Sequence, residues 1–191
     1  MKQTIKLSLL ILVIFLAGCT QVEHVMENED DRLSVVSTTS FLTDLVETIG
    51  GEHVSVTGLM GPGVDPHDYQ PSTSDIIAMG EAEIVLYNGL ALEERFSEVF
   101  DQLGERDVLT IEAADGVEQS DILLESEDEE SLSVDPHIWF SVRRWKQVTE
   151  YVAEQLSDYD PANADMYREN ARTYLSDLDE LNTYIEGRVE E

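Results

Sequence analysis

Four short apolar runs alternate with helical patterns along this chain, and the alternation limits the fold more than any other feature. The runs lie at residues 34–37, 54–60, 83–87 and 108–111. Between them, apolar residues recur at the three- and four-residue spacing of helices. Strands separated in this way pair in parallel and are covered by their helices on both faces. We therefore predict an α/β lobe with one parallel sheet and flanking helices.

The tripeptide Asp-Pro-His occurs twice, at 65–67 and at 135–137, and holds two of the four histidines. Each copy precedes a predicted helix, and each proline stiffens the loop from which the imidazole projects. Ligands of such sheets bind outside the carboxyl ends of the strands, where both loops are expected. His67 and His137 are therefore candidates to share a metal ion, because neutral imidazole suits Mn, Fe, Zn and Cu. The alternative is that Asp-Pro-X is only a common turn. His53 is predicted to be an ordinary surface histidine.

The first 18 residues have the pattern of a signal peptide: two lysines precede an apolar run at 7–16. That run is too short to span a bilayer comfortably, and it ends in Leu-Ala-Gly-Cys, which resembles the bacterial lipobox. Cleavage would leave Cys19 as the first residue, and acyl chains on it would anchor the protein to the membrane. An uncleaved anchor helix is the alternative. Residues 19–32 are predicted to be a lipidated acidic tether.

The charge balance excludes one class of partner and favours another. The chain carries 41 acidic and 11 basic residues, a formal net charge of −30. This excludes nucleic-acid binding by a basic surface and suits a protein that attracts cations. The acidic run at 118–133 is predicted to be a solvated loop, with a cation-collecting role as the alternative. The basic cluster Arg143, Arg144 and Lys146 is predicted to be a helix face paired with acidic residues.

A single long helix is predicted at the end of the sequence. Asp160 is expected to cap it, with Pro161 at its first position. One apolar stripe follows, made of Tyr167, Ala171, Tyr174, Leu178, Leu181 and Ile185. No later strand follows to cover the far end of the stripe, so we expect that end to be exposed. The predicted organisation is an N-terminal α/β metal-binding lobe at 33–158 and a long linker helix at 159–191.

Four strings of this sequence together resemble the solute-binding lipoproteins of bacterial manganese and zinc ABC importers. They lie at 59–67, 87–90, 135–140 and 160–163, and the likeness covers Cys19 and the whole of about Leu33 to Glu191. The resemblance implies two α/β lobes joined by one rigid helix, with the metal bound between the lobes. It also implies that the second lobe is missing from this sequence.

The resemblance assigns roles to particular residues. His67 and His137 correspond to the two metal ligands of the first lobe, with Asp65 and Asp135 as hydrogen-bonding support for them. The other ligands of the family, a His or Glu and an Asp, belong to the second lobe. Ser141 stands where this branch usually has an acidic residue, which weakens the expected support for His137.

The predicted function is that of a lipid-anchored receptor on the extracytoplasmic face of the cell membrane. It would bind Mn²⁺ or Zn²⁺ and deliver the ion to the membrane permease of an ABC importer; the string at 59–67 favours manganese. One alternative is a metal-dependent surface adhesin. The other is a metallohydrolase, with Asp65, Asp68 or Asp135 as the base. No His-Glu-x-x-His motif is present in the sequence, so an enzyme is not predicted.

Overall fold

Four parallel strands form the central sheet of the computed structural model, which describes residues 32–122, 124–128 and 131–189. The strands are β1 (Leu33–Ser37), β2 (Val54–Gly58), β3 (Ile84–Tyr87) and β4 (Leu109–Glu112). Their order in the sheet is β2-β1-β3-β4, and every neighbouring pair is parallel. The chain therefore leaves β1 in one direction and returns on its other side for β3. This is the topological switch point at which open α/β sheets bind ligands.

Five helices accompany the sheet in the described residues: α1 (Ser40–Gly50), α2 (Thr73–Glu81), α3 (Ser97–Leu103), α4 (Val142–Tyr159) and α5 (Ala164–Val189). Apolar side chains on alternating sides of the strands pack against helices on both faces. One face of the sheet packs against α1, α4 and α5, and the other packs against α2 and α3. The predicted parallel-sheet lobe with flanking helices and a long final helix is confirmed.

Polar caps fix the helices that begin at the carboxyl edge of the sheet. The Thr39 hydroxyl accepts a hydrogen bond from the backbone N–H of Leu42 at the start of α1. Ser72 and Asp75 form a reciprocal capping box at the start of α2. These caps satisfy N–H groups that have no partner within the helix, so the loops before them enter the helices in fixed directions.

Two sequence-based expectations about local structure were wrong. Part of the acidic run expected to be a loop is an antiparallel hairpin of β5 (Leu124–Asp128) and β6 (Ser131–Val134). The last helix begins at Ala164 and not at Pro161. Asp160 does not cap α5; its carboxylate accepts hydrogen bonds from the Asn163 amide at 2.8 Å and the Tyr167 hydroxyl at 2.6 Å. These bonds stabilise a turn before the helix.

The basic cluster is only partly a solvated face. Arg143 pairs with Asp121 at 3.0 Å, and Lys146 pairs with Asp179, as expected. Arg144 instead is buried, with 8% of its surface exposed. Its position on the inner side of α4 brings its charge close to the second Asp-Pro-His loop.

The apolar stripe of α5 is covered over only part of its length. Tyr167, Ala171 and Leu178 are buried, whereas Leu181 and Ile185 are 45% and 41% exposed. The expected exposure of the far end is therefore observed. Among the described residues, no helix combines the length and apolar character needed to cross a bilayer. The proposed signal peptide, Cys19 and nearly all of the tether lie outside the described residues, and the division at 158/159 stays a prediction.

Candidate metal centre

The two Asp-Pro-His loops meet at the carboxyl edge of the sheet. The Nε2 atoms of His67 and His137 lie 3.2 Å apart, and the ring centroids are 5.2 Å apart. These residues are 70 positions apart in the sequence, so only the fold brings them together. His53 lies in the short turn Gly51–His53, directly before β2. It is therefore at the opposite, amino end of the sheet.

The first loop is held by its own side chains. The Asp65 carboxylate accepts a hydrogen bond from the backbone N–H of His67 at 3.0 Å, forming a local turn. The Tyr69 hydroxyl donates to Asp75 at 2.8 Å, which ties the end of the loop to α2. Asp65 therefore contacts the backbone beside the His67 imidazole and orients the loop. The side chain of His67 itself is exposed.

Asp135 contacts the ring of His137 directly. One carboxylate oxygen accepts from the His137 backbone N–H at 2.9 Å and from Nδ1 at 2.7 Å. A carboxylate can only accept, so Nδ1 carries a proton, and in the neutral imidazole the lone pair of Nε2 therefore faces His67. This is the pairing that fixes the tautomer and direction of metal-binding histidines.

Asp135 is suited to remain ionised in this role. Burial raises the pKa of Asp135, but hydrogen bonds from the His137 backbone and ring, with the charges of His137 and Arg144, outweigh it and hold that pKa below its ordinary value. The carboxylate is therefore available to orient the ring across the neutral pH range.

The spacing of the imidazoles fits a shared metal ion. Two nitrogens bound to one tetrahedral Zn²⁺ at about 2.05 Å would lie roughly 3.3 Å apart, close to the 3.2 Å observed. When the neutral His67 imidazole carries its proton on Nδ1, the Nε2 lone pairs of both rings are free to bind one ion between them. Within the part of the chain that the structure describes, no group of three or more His, Cys, Asp or Glu side chains could hold a metal ion. The two imidazoles supply two nitrogen ligands to a bound ion. Its other coordination positions are therefore left to other ligands.

An apolar surface borders the imidazoles. A cavity of about 470 Å³ is lined by residues that include Phe41, Met60, Val64, Trp139 and Phe140. Phe41 stacks on Trp139 with centroids 5.0 Å apart, and Phe140 is 78% exposed. Covering this surface would exclude water from beside the imidazoles and strengthen electrostatic interactions there.

Sequence reasoning missed a buried carboxylate near the site. Glu93 is 4% exposed. It precedes a short turn at Glu94–Phe96, which α3 follows. Burial raises the pKa of Glu93, although hydrogen bonds from Thr38, Asn88 and Gly89 oppose that shift. The sequence signal was weak, because an acidic residue at a helix start is usually exposed.

Comparison with known proteins identifies relatives over nearly the whole chain. The family described as ZnuA, zinc-uptake complex component A periplasmic, matches residues 35–191. The manganese-binding lipoprotein MntA of Bacillus subtilis is 35% identical over 189 residues, covering 99% of this chain and 60% of that protein. The zinc-binding protein TroA of Treponema pallidum is 35% identical over 162 residues, covering 84% of this chain and 51% of that protein.

Solved structures give the same result. The periplasmic zinc binding protein TroA from Treponema pallidum superposes with a TM-score of 0.74 at 35% identity, covering 81% of this chain and 54% of that one. A Mn-bound periplasmic metal binding protein from candidatus Liberibacter asiaticus superposes with a TM-score of 0.73 at 30% identity, covering 83% and 57%. The chain thus spans about half to 60% of the length of these relatives. Its fold and its match to the family description over residues 35–191 show that this chain belongs to the ZnuA family of metal-binding proteins.

Proposed function

We propose that this chain is the metal-binding lobe of an extracytoplasmic receptor, with His67 and His137 as ligands of Mn²⁺ or Zn²⁺. The observation that carries the proposal is the 3.2 Å separation of their Nε2 atoms. The names of the relatives, a manganese-binding lipoprotein and a zinc-binding protein, support the choice of ions. The receptor would deliver its ion to the membrane permease of an ABC importer.

The chemistry of the two imidazoles suits capture and release. Neutral nitrogens hold a transition-metal ion without neutralising its charge, so the ion keeps affinity for further ligands and for water. Asp135 accepts the Nδ1 hydrogen bond of His137 and keeps its Nε2 directed at the ion. Imidazole binds both metals, so these two residues do not by themselves select manganese over zinc.

We predict that binding of the ion stabilises the folded chain. At an ion concentration of 100 times Kd, binding contributes about 2.7 kcal/mol, which corresponds to about 5–10 °C in Tm for a domain of this size. The measurement is thermal unfolding of the chelator-treated protein with Zn²⁺, with Mn²⁺, and with Mg²⁺ as the control ion. Mg²⁺ prefers oxygen ligands and should have little effect. An unchanged Tm at millimolar Zn²⁺ and Mn²⁺ would refute the receptor proposal.

We further propose that Cys19 carries the lipid anchor of the receptor. The Cys19→Ser variant is expected to lose its membrane association or to accumulate as uncleaved precursor. Serine has no sulfur atom to carry the acyl chain. Membrane fractionation with mass spectrometry of the N-terminus measures both outcomes, and Thr20→Ser is the matched control. A Cys19→Ser protein that is cleaved and membrane-bound like the wild type would contradict lipidation.

A further inference from the structure

A cluster of buried polar groups lies next to the candidate metal centre and joins three loops of the carboxyl edge. We define this buried polar cluster as Thr38, Asn88 and Glu93, which are 0%, 1% and 4% exposed. The Glu93 carboxylate accepts hydrogen bonds from the Thr38 hydroxyl at 2.6 Å, the Asn88 N–H at 2.9 Å and the Gly89 N–H at 3.2 Å. Glu93 therefore fixes the backbone of Asn88 directly after β3.

The side chain of Asn88 extends this cluster to the second Asp-Pro-His loop. Its Nδ2 donates to the backbone carbonyl of Pro136 at 2.9 Å and to that of Gly89 at 3.1 Å. The partner Pro136 is 48 residues away in sequence, so this contact is more than local turn chemistry. Both acceptors are carbonyl oxygens, which establishes that the NH₂ end of the amide faces them.

The carbonyl that Asn88 holds belongs to a tight turn centred on His137. Pro136 O also accepts from Ile138 N at 2.8 Å, and His137 has φ −80° and ψ 59°. These values define an inverse γ-turn with His137 as the central residue. Fixing Pro136 O therefore fixes the plane from which the imidazole projects.

The oxygen of the Asn88 amide, Oδ1, argues against the view that this side chain serves only to stabilise the folded chain. Among the described residues, Asn88 Oδ1 is buried without a hydrogen-bond partner. Leaving a buried acceptor unpaired is unfavourable, and an apolar side chain of similar shape would avoid the penalty. An asparagine at this position is explained by its donors.

We infer that Asn88 is a positioning residue that directs the imidazole of His137 toward His67 by holding the Pro136 carbonyl. The inference rests on the proposed function, since it concerns the site at which we place the metal. Asn88 acts through the backbone, and Asp135 acts through the ring; together they restrain both ends of the His137 residue.

The test compares Asn88→Ala with Asn170→Ala in the full chain. Asn170 is the matched control, because its Nδ2 donates to the carbonyl of Ile49 at 2.9 Å in a part of the structure remote from both imidazoles. For Asn88→Ala we expect Zn²⁺ affinity to fall about tenfold, the loss typical of groups that orient ligands. We also expect weaker nuclear Overhauser contacts between the His67 and His137 rings without metal. Asn170→Ala should unfold more easily yet leave both measurements unchanged.

The two measurements separate the inference from the proposed function. If the wild type binds no Zn²⁺ but Asn88→Ala alone weakens the ring contacts, the function fails and the positioning role stands. If Asn88→Ala keeps the ring contacts and the affinity of the wild type, the inference is overturned. Should Asn88→Ala not fold, Asn88→Leu fills the same volume without a donor, and the same two measurements decide.

Discussion

Zn²⁺ affinity is expected to fall by more than about a hundredfold when either His67 or His137 is replaced by alanine. Loss of a group that only orients a ligand typically costs 10–100-fold, and loss of one of two imidazoles should exceed that. The remaining imidazole would hold the ion by a single bond, with water as the other ligand. Isothermal titration of the chelator-treated variants with Zn²⁺ measures the change directly.

His53→Ala is the matched control for both substitutions. His53 contributes a half-exposed imidazole whose nearest acidic group is Glu52 at 3.8 Å, and it precedes β2 at the other end of the sheet. Its removal should leave Zn²⁺ affinity unchanged. Equal affinities for all three alanine variants would show that the paired imidazoles are not the site.

The second large effect concerns the coordination positions of the metal ion that the two imidazoles do not fill. We expect a hybrid, in which the part of Bacillus subtilis MntA that this chain does not span follows Glu191, to bind metal at least about a hundredfold more tightly than residues 1–191. That change corresponds to roughly 2.7 kcal/mol. The described residues bring together only two strong donors, and the relative is longer, since this chain covers 60% of it. Further donors and exclusion of water would both raise affinity.

Calorimetric titration of the hybrid beside the 191-residue chain measures this difference. A hybrid carrying His67→Ala is the control, because its affinity should fall if the added part completes the same site. Submicromolar, one-to-one binding by the shorter chain as a monomer, as tight as that of the hybrid, would contradict the prediction. It would mean that Asp65, Asp68, Asp135 or the acidic hairpin completes the site from within this lobe.

The periodic parts of the fold could be predicted from the sequence because burial alone specifies them. The run at 83–87 is apolar because β3 is covered on both faces, with Ile84, Val85 and Leu86 all buried. The hairpin was missed because β5, Leu-Glu-Ser-Glu-Asp, shows no alternation of apolar and polar residues. The alternation in β6, Ser-Leu-Ser-Val, covers only four residues at the end of the acidic run. The start of α5 was missed because the Asp160 side chain bonds to Asn163 and Tyr167 and so favours a turn.

The candidate site was predictable in its parts but not in its geometry. The repeated Asp-Pro-His motif drew attention to His67 and His137, although only the first loop follows a strand of the parallel sheet, β2. The second loop follows β6 of the antiparallel hairpin. Their 3.2 Å separation could not be predicted, because the second loop is held at the end of β3 by the contact of Asn88 with Pro136, 48 residues away in sequence. Glu93 and Asn88 were missed as site residues because their importance arises from contacts with distant backbone.

The most direct test of the central claim, that His67 and His137 bind one ion together, is anomalous diffraction from crystals of the chain grown with Zn²⁺. We predict a zinc peak about 2.0–2.1 Å from Nε2 of both His67 and His137, with the Asp135 hydrogen bond to Nδ1 retained. A zinc peak elsewhere, with the two imidazoles still in contact and no metal between them, would contradict the account.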